Sequence, residues 1–299
     1  MKHSIIYRAL IVTLFGLFWS GCKNPGPVEL FDEQDDSKLI EMKSVGITSD
    51  SLYIQSGTDS TGLLGSENSK YRSKMIYAGI RYGFSPMADS LVQAEAIFMD
   101  TTNPVFNNGK IIAYPSFDAG MLTVDGDTLN KYQRRIRMPM SGSDTAVGYI
   151  YKLKKRYAYL SGHSYNWRGT GSANIGSFDI PCTTPPEIVI TEISSRYIDN
   201  TNPLYIKWNC ANPVINLIIS REGGLQRRTW VPVLHLKIRN TKGEITIPAK
   251  ILEILPIKNY KNFLFSFISE TRFTSTVSSY GSVLIQTASI HNIPMNVQP

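Results

Sequence analysis

Side chains able to move protons or bind metals are few and scattered along this chain of 299 residues. His163, His235 and His291 stand far apart. None falls in a His-x-x-x-His or His-Glu-x-x-His arrangement, which would set two imidazoles on one helix face for zinc. No Gly-x-Ser-x-Gly elbow presents a nucleophilic serine. Gly169-Thr170-Gly171-Ser172 is glycine-rich but lacks the lysine and the strand-to-helix setting of a phosphate loop, and reads as an ordinary loop. Paired carboxylates of the glycosidase type could be drawn from Asp118 with Asp125, or from Asp179 with another acid, and no spacing selects them. Asp125-Gly126-Asp127 lacks the twelfth-position glutamate of a calcium loop and reads as a turn. The expectation is a non-enzymatic chain with no catalytic set, no metal site and no cofactor.

One run stands out as a binding candidate. His163-Ser164-Tyr165-Asn166-Trp167-Arg168 places an imidazole, a phenol, an indole and a guanidinium within six residues. On a strand, Tyr165 and Trp167 share one face. Two readings follow: exposed rings would stack on sugars, with Asn166 or Arg168 bonding hydroxyl or acidic groups, whereas buried rings would fill a core. Trp230, near Arg227 and Arg228, is a weaker candidate for an interface rim. The basic clusters Arg134-Arg135-Ile136-Arg137 and Lys152-Leu153-Lys154-Lys155-Arg156 read either as solvated strand ends and loops or as a contact for anionic polymer or lipid head groups. The formal net charge of +7 is spread along the chain and is not a nucleic-acid footprint.

The elements that must position these residues are strands. Ser73–Phe84 alternates with a period of two, as a half-buried strand does, and Leu91–Phe98 reads as its partner, with a short helix as the alternative. Gly109–Tyr114 and Gly120–Val124 follow, and Asp125-Gly126 is a hairpin signal. Val147–Leu153 and Arg156–Leu160 read as a further strand pair. In the second half, residues 187–193, 204–209, 216–220, 230–238, 243–248, 260–271 and 280–290 read as strands, with Trp208 as core filling. Ala249–Leu255 is the best helical turn, stopped by Pro256. Short strands separated by turn signals predict an all-β fold of two β-sandwich domains in tandem. Pro181-Cys182-Thr183-Thr184-Pro185-Pro186 reads as a stiff link, so the domains are expected at 51–183 and 184–299.

The N-terminus reads differently. Lys2 and Arg8 precede an eleven-residue apolar run, Ala9–Trp19, which is too short for a permanent transmembrane helix and right for the core of an export signal. Residues 22–50 hold seven acidic and three basic residues with early prolines, and read as a flexible acidic tether. Of three cysteines, Cys182 and Cys210 remain for an oxidising compartment, as a clamp between the domains or as two free thiols.

Trp19-Ser20-Gly21-Cys22 resembles the lipobox of bacterial lipoproteins, with Trp19 where that family carries leucine or a small aliphatic residue. The resemblance implies cleavage after residue 21, acylation of Cys22 and a cell-envelope location, in the outer membrane with the chain facing the periplasm or the surface. The alternative is an ordinary signal peptide cut nearby. Ile206-Lys207-Trp208, the Gly243–Pro248 segment with its single turn, and a closing hairpin resemble the immunoglobulin-like modules of uncharacterised bacterial lipoproteins. Gly120–Gly126 and Ser164–Gly171 resemble a β-domain that precedes such modules. This kinship implies architecture and brings no site residues. The expected role is a membrane-anchored, non-catalytic binding, adhesion or assembly module. Its partners would be membrane lipid through Cys22 and envelope proteins or glycans, and no nucleic acid. A carbohydrate-binding lipoprotein and an envelope hydrolase are the alternatives.

Overall fold

A computed structural model describes residues 39–43, 73–84, 91–137, 144–156, 158–223 and 230–297. The expected leader, Cys22 and most of the expected tether lie outside them. Asp36–Pro299 forms one compact unit.

The described residues are almost entirely β. A ten-stranded sheet runs in the order β1 (Ile40–Lys43), β16 (Trp230–Arg239), β15 (Val214–Glu222), β18 (Asn262–Val277), β19 (Gly281–Val297), β2 (Lys74–Tyr82), β3 (Leu91–Ile97), β9 (Asp144–Arg156), β8 (Asn130–Arg137). Its tenth strand, β13 (Tyr197–Ile198), pairs with the end of β19. A four-stranded sheet follows β11 (Phe178–Thr183), β10 (Ser164–Gly169), β6 (Leu122–Val124), β7 (Asp127–Thr128), and a three-stranded sheet follows β12 (Val189–Ile193), β14 (Leu204–Asn209), β17 (Glu244–Ile247). β4 (Val105–Asn107) and β5 (Lys110–Ala113) form a separate hairpin, and α1 (Ala249–Leu252) is the one described helix.

The large sheet passes through the expected boundary at 183/184, because β2 pairs in parallel with β19 over Lys74–Tyr82 and Leu284–Asn292. Three hydrophobic clusters pack on it: a smaller one, of Ile76, Ala78, Ile80, Ile218, Ile268, Ala288 and Ile290, lies on the other face, and two lie between sheets. Around Trp167, the four-stranded sheet packs on Met75, Tyr77, Val92, Tyr151 and Ile285 of the large sheet. Around Trp208, the three-stranded sheet and Leu252 pack on Leu217, Leu236, Phe265 and Phe267. Both cores sit on the same face of β19. Val283 and Ile285 enter the first, and Ile293 and Met295 the second. Between them lie Thr287, Ser289 and His291, all 3% exposed or less.

Three expectations change. Residues 40–43, expected within a flexible tether, pair with β16 at the sheet edge, where Leu39 and Ile40 pack on the second core. Of the expected pair 147–153 and 156–160, the first lies within one long strand, β9, whose partners are β3 and β8, whereas 158–160 belong to no strand. Within β8 and β9, the two basic clusters stand apart: Lys152 faces Asn130, and Arg135 faces Ala146. Much of that charge is already paired, Lys152 with Glu95 and Lys155 with Asp127.

Elsewhere the local signals hold. Asp125 and Gly126 have φ of 51° and 79°, the paired left-handed conformation of a tight hairpin turn, here between β6 and β7. Gly148 has a different reason. It sits in a bulge of β9 that grips Ser116, whose N–H donates to Val147 O (2.8 Å) and whose Oγ donates to Tyr149 O (2.8 Å). Its φ is +105°, and a Cβ there would lie 1.9 Å from Ser116 O. Gly148→Ala is therefore expected to cost at least about 2–3 kcal/mol from strain and overpacking. A urea midpoint equal to that of the wild type would show that the bulge does not hold this segment.

Candidate functional site

The aromatic run forms β10 and is paired on both sides. Tyr165 faces Cys182, and Trp167 lies between Ile180 and Val124. Alternation then decides everything: Tyr165 and Trp167 point into the first core at 3% and 0% exposure, while Ser164, Asn166 and Arg168 point outward. The Tyr165 ring stacks on Tyr77 with centroids 4.5 Å apart, and its hydroxyl meets Thr287 Oγ1 at 2.9 Å. The expected sugar-stacking platform is thus overturned, because a ring inside a core has no face to offer a ligand. Burial also raises the Tyr165 hydroxyl far above its ordinary range.

What β10 presents is polar. Arg168 Nε donates to Asp179 Oδ2 at 2.9 Å, and Asn166 Nδ2 donates to the other oxygen of the same carboxylate. His163 Nε2 lies 3.1 Å from both oxygens of Asp125. Asp125, Gly126, Ser164, Asn166 and Arg168 line a shallow open hollow of about 230 Å³. This row can hydrogen-bond a polar ligand through an amide, a guanidinium and a hydroxyl. A hydrolytic centre asks for more: a nucleophile held by the imidazole. Among the described residues, the His163 ring bonds Asp125 alone.

The other candidates are absorbed by the fold. Asp118 accepts from Tyr151 Oη (2.6 Å), from the Gly120 N–H (3.0 Å) and from Lys131 Nζ (2.9 Å). It has no pairing with Asp125, which is engaged by His163. His235 Nε2 meets Asn216 Oδ1 at 3.0 Å across neighbouring strands of the large sheet. Cys182 and Cys210 are free thiols, the second of the two readings of this pair. Cys182 faces the first core, and burial pushes its thiol up to about 11, so it stays protonated. Cys210 packs at the margin of the second core, against Pro186 O. Trp230, with Arg227 and Arg228 outside the described residues, is half-buried in β16. Among the described residues no group of three or more His, Cys, Asp or Glu side chains could hold a metal ion.

The arrangement that reading the sequence missed is the polar seam on β19. His291 Nδ1 accepts the Ile190 N–H (2.8 Å) and Nε2 donates to Gly83 O (2.7 Å), which defines the neutral Nε2–H tautomer. Ser289 Oγ accepts the Ile188 N–H at 3.1 Å. Polar residues at three successive inward positions of an apolar strand were the available signal. Burial, with Arg81 nearby, brings the His291 pKa down to about 4 despite the bond to Gly83. No protein-family profile matches the chain, and no curated protein is significantly similar to it.

Two outcomes follow. An unfolded histidine takes up a proton near pH 6.5, but folded His291 does so only near pH 4. Stability from this group is therefore complete above about pH 6.5 and falls by about 3 kcal/mol as pH drops to 4. Urea unfolding across that window should show this slope in the wild type and lack it in His291→Asn; parallel slopes would reject the assignment. Among the described residues, Trp167 Nε1 is buried without a partner. Trp167→Phe should therefore change stability by less than about 1.5 kcal/mol, whereas Trp167→Ala should cost about 3–5 kcal/mol. Comparable losses in the two variants would contradict a purely space-filling ring.

Proposed function

We propose that this chain is a cell-envelope lipoprotein, held in the outer membrane by lipid on Cys22, whose β unit is a non-catalytic binding, adhesion or assembly module. The observation that carries the reading is the position of the cysteine. Gly21-Cys22 directly follows an apolar run of signal-peptide length and precedes the compact unit that starts at Asp36. No helix among the described residues is long and apolar enough to cross a membrane. Lipid supplies the alternative, since each buried methylene contributes about 0.8 kcal/mol and two or three acyl chains hold a water-soluble domain firmly.

The first described strand shortens the leash. With β1 paired to β16 from Ile40, the stretch 23–39 sets the reach from lipid to sheet, at most about 60 Å fully extended. The kinship of the modules with immunoglobulin-like lipoprotein domains is part of this proposal, and it is supported by two β layers packed around each core. A binding role falls to the outward row Ser164, Asn166 and Arg168 with Asp179 and Asp125, in place of the buried rings. A ligand taken there would be polar, either a glycan hydroxyl array or an envelope protein surface.

Mass spectrometry of the native protein tests the anchor. The expected mature N-terminus is an acylated Cys22, and Cys22→Ser should move the protein from the membrane to the soluble fraction. An unmodified sulfur at position 22, or unchanged membrane retention of the variant, would refute the reading.

A further inference from the structure

In the large sheet, β18 outruns one of its two neighbours. β18 pairs with β19 along its whole length, from Asn262↔Asn296 to Val277↔Gly281. On its other side β15 accompanies it only from Phe263 to Ile268. Continuing that register brings Val214, the first residue of β15, beside Glu270. There Pro213 ends the strand, and Asn212 Nδ2 turns onto Ser269 Oγ (3.0 Å) and Glu270 O (3.4 Å). Beyond this cap, Thr271–Thr276 has a partner strand on one side alone among the described residues, and alternate residues aim their N–H and C=O groups into an open lane, which closes at Val277, 1% exposed.

Other edges of this fold are blunted. β8 carries Lys131 and Arg135 opposite the bulge of β9, β11 contains Pro181, and β1 covers β16 over His235–Ile238. Thr271-Arg272-Phe273-Thr274-Ser275-Thr276 has no proline, glycine or bulge, and is built of good strand formers. Its one charge, Arg272, is paired with Glu270 at 2.8 Å. Phe273 lies across from Ile285 of the first core yet remains 40% exposed, and among the described residues no strand lies on its other side.

We propose that this lane is filled by the same segment of a second copy, β18 against β18 in antiparallel pairing about a two-fold axis. The segment is self-complementary. With Thr274 on the axis, Phe273 faces Ser275 and Arg272 faces Thr276 of the second copy, so no like charges meet. The lane fixes that register. Centring on Phe273 would drive Thr276 of the second copy against the end of β15, whereas centring on Thr274 keeps the pairing within Arg272–Thr276 of each copy. The pairing satisfies the open backbone groups and covers both Phe273 rings. It is small beside the roughly 800 Å² per partner of a stable interface, so it forms at high local concentration. It does not depend on the lipid anchor.

Cysteine cross-linking of the full chain at high concentration tests the register. Thr274→Cys should give a disulfide-linked dimer on mild oxidation, since two thiols on the axis meet directly. Thr276→Cys should give roughly tenfold less, because its two copies stand about 13 Å apart, beyond the reach of a disulfide. Wild-type protein controls for Cys22, Cys182 and Cys210. Equal cross-linking at both positions, or none at Thr274→Cys, would overturn the proposal.

Discussion

Thr287, Ser289 and His291 are three inward-facing polar side chains in the middle of a strand that is otherwise apolar on that face. A buried polar group without a bond is costly, and here each of the three finds a partner, in one half of the fold or the other. Thr287 meets Tyr165 in the first core, while Ser289 and His291 accept the N–H groups of Ile188 and Ile190 as the chain enters β12. Those N–H groups belong to a strand edge, which would otherwise need another strand or water. The seam thus joins two cores, caps an edge and positions the link between the halves. A protonated His291 could not accept from Ile190, so the neutral ring is part of the architecture.

The same seam explains why the two halves are not beads on a string. β19 is long enough, about 55 Å at strand rise, to serve both cores, and its parallel pairing with β2 makes one sheet of strands that the sequence separates widely. Rigidity follows from that continuity. Whatever binds the outward row of β10 binds a surface whose opposite side is locked to β19 through Tyr165. The pieces with chemical potential, His163 with Asp125 and Arg168 with Asp179, sit on that surface as solvated pairs, which suits recognition better than bond-breaking.

Sheet edges form the second recurring constraint. A fold with four separate sheets has many, and this one treats them unequally: a short strand, β1, on one, charge opposite a bulge on another, proline on a third. The β18 lane stands out against that background because its residues favour pairing. The polar outward row and the open lane are different surfaces with different chemistries, one suited to polar ligands and the other to backbone.

Much of the secondary structure was legible in the sequence. Period-two alternation marked β2, β3, β14 and β16, Asp125-Gly126 marked a hairpin, and Pro256 marked the stop of the single helical turn. These are local signals, set by steric preference and by which residues alternate. Alternation also put Tyr165 and Trp167 on one face, but it could not say whether that face looked at water or at Tyr77. That answer depends on which sheet packs above, a contact between residues nearly ninety positions apart. The same limit hid the β2–β19 pairing, the separation of Cys182 from Cys210 into different cores, and the task of His291. The sequence by itself determined most of the strands and the turns. Tertiary structure alone decided which side of each strand is inside, because burial is a property of the partner and no residue carries its partner in its own neighbourhood.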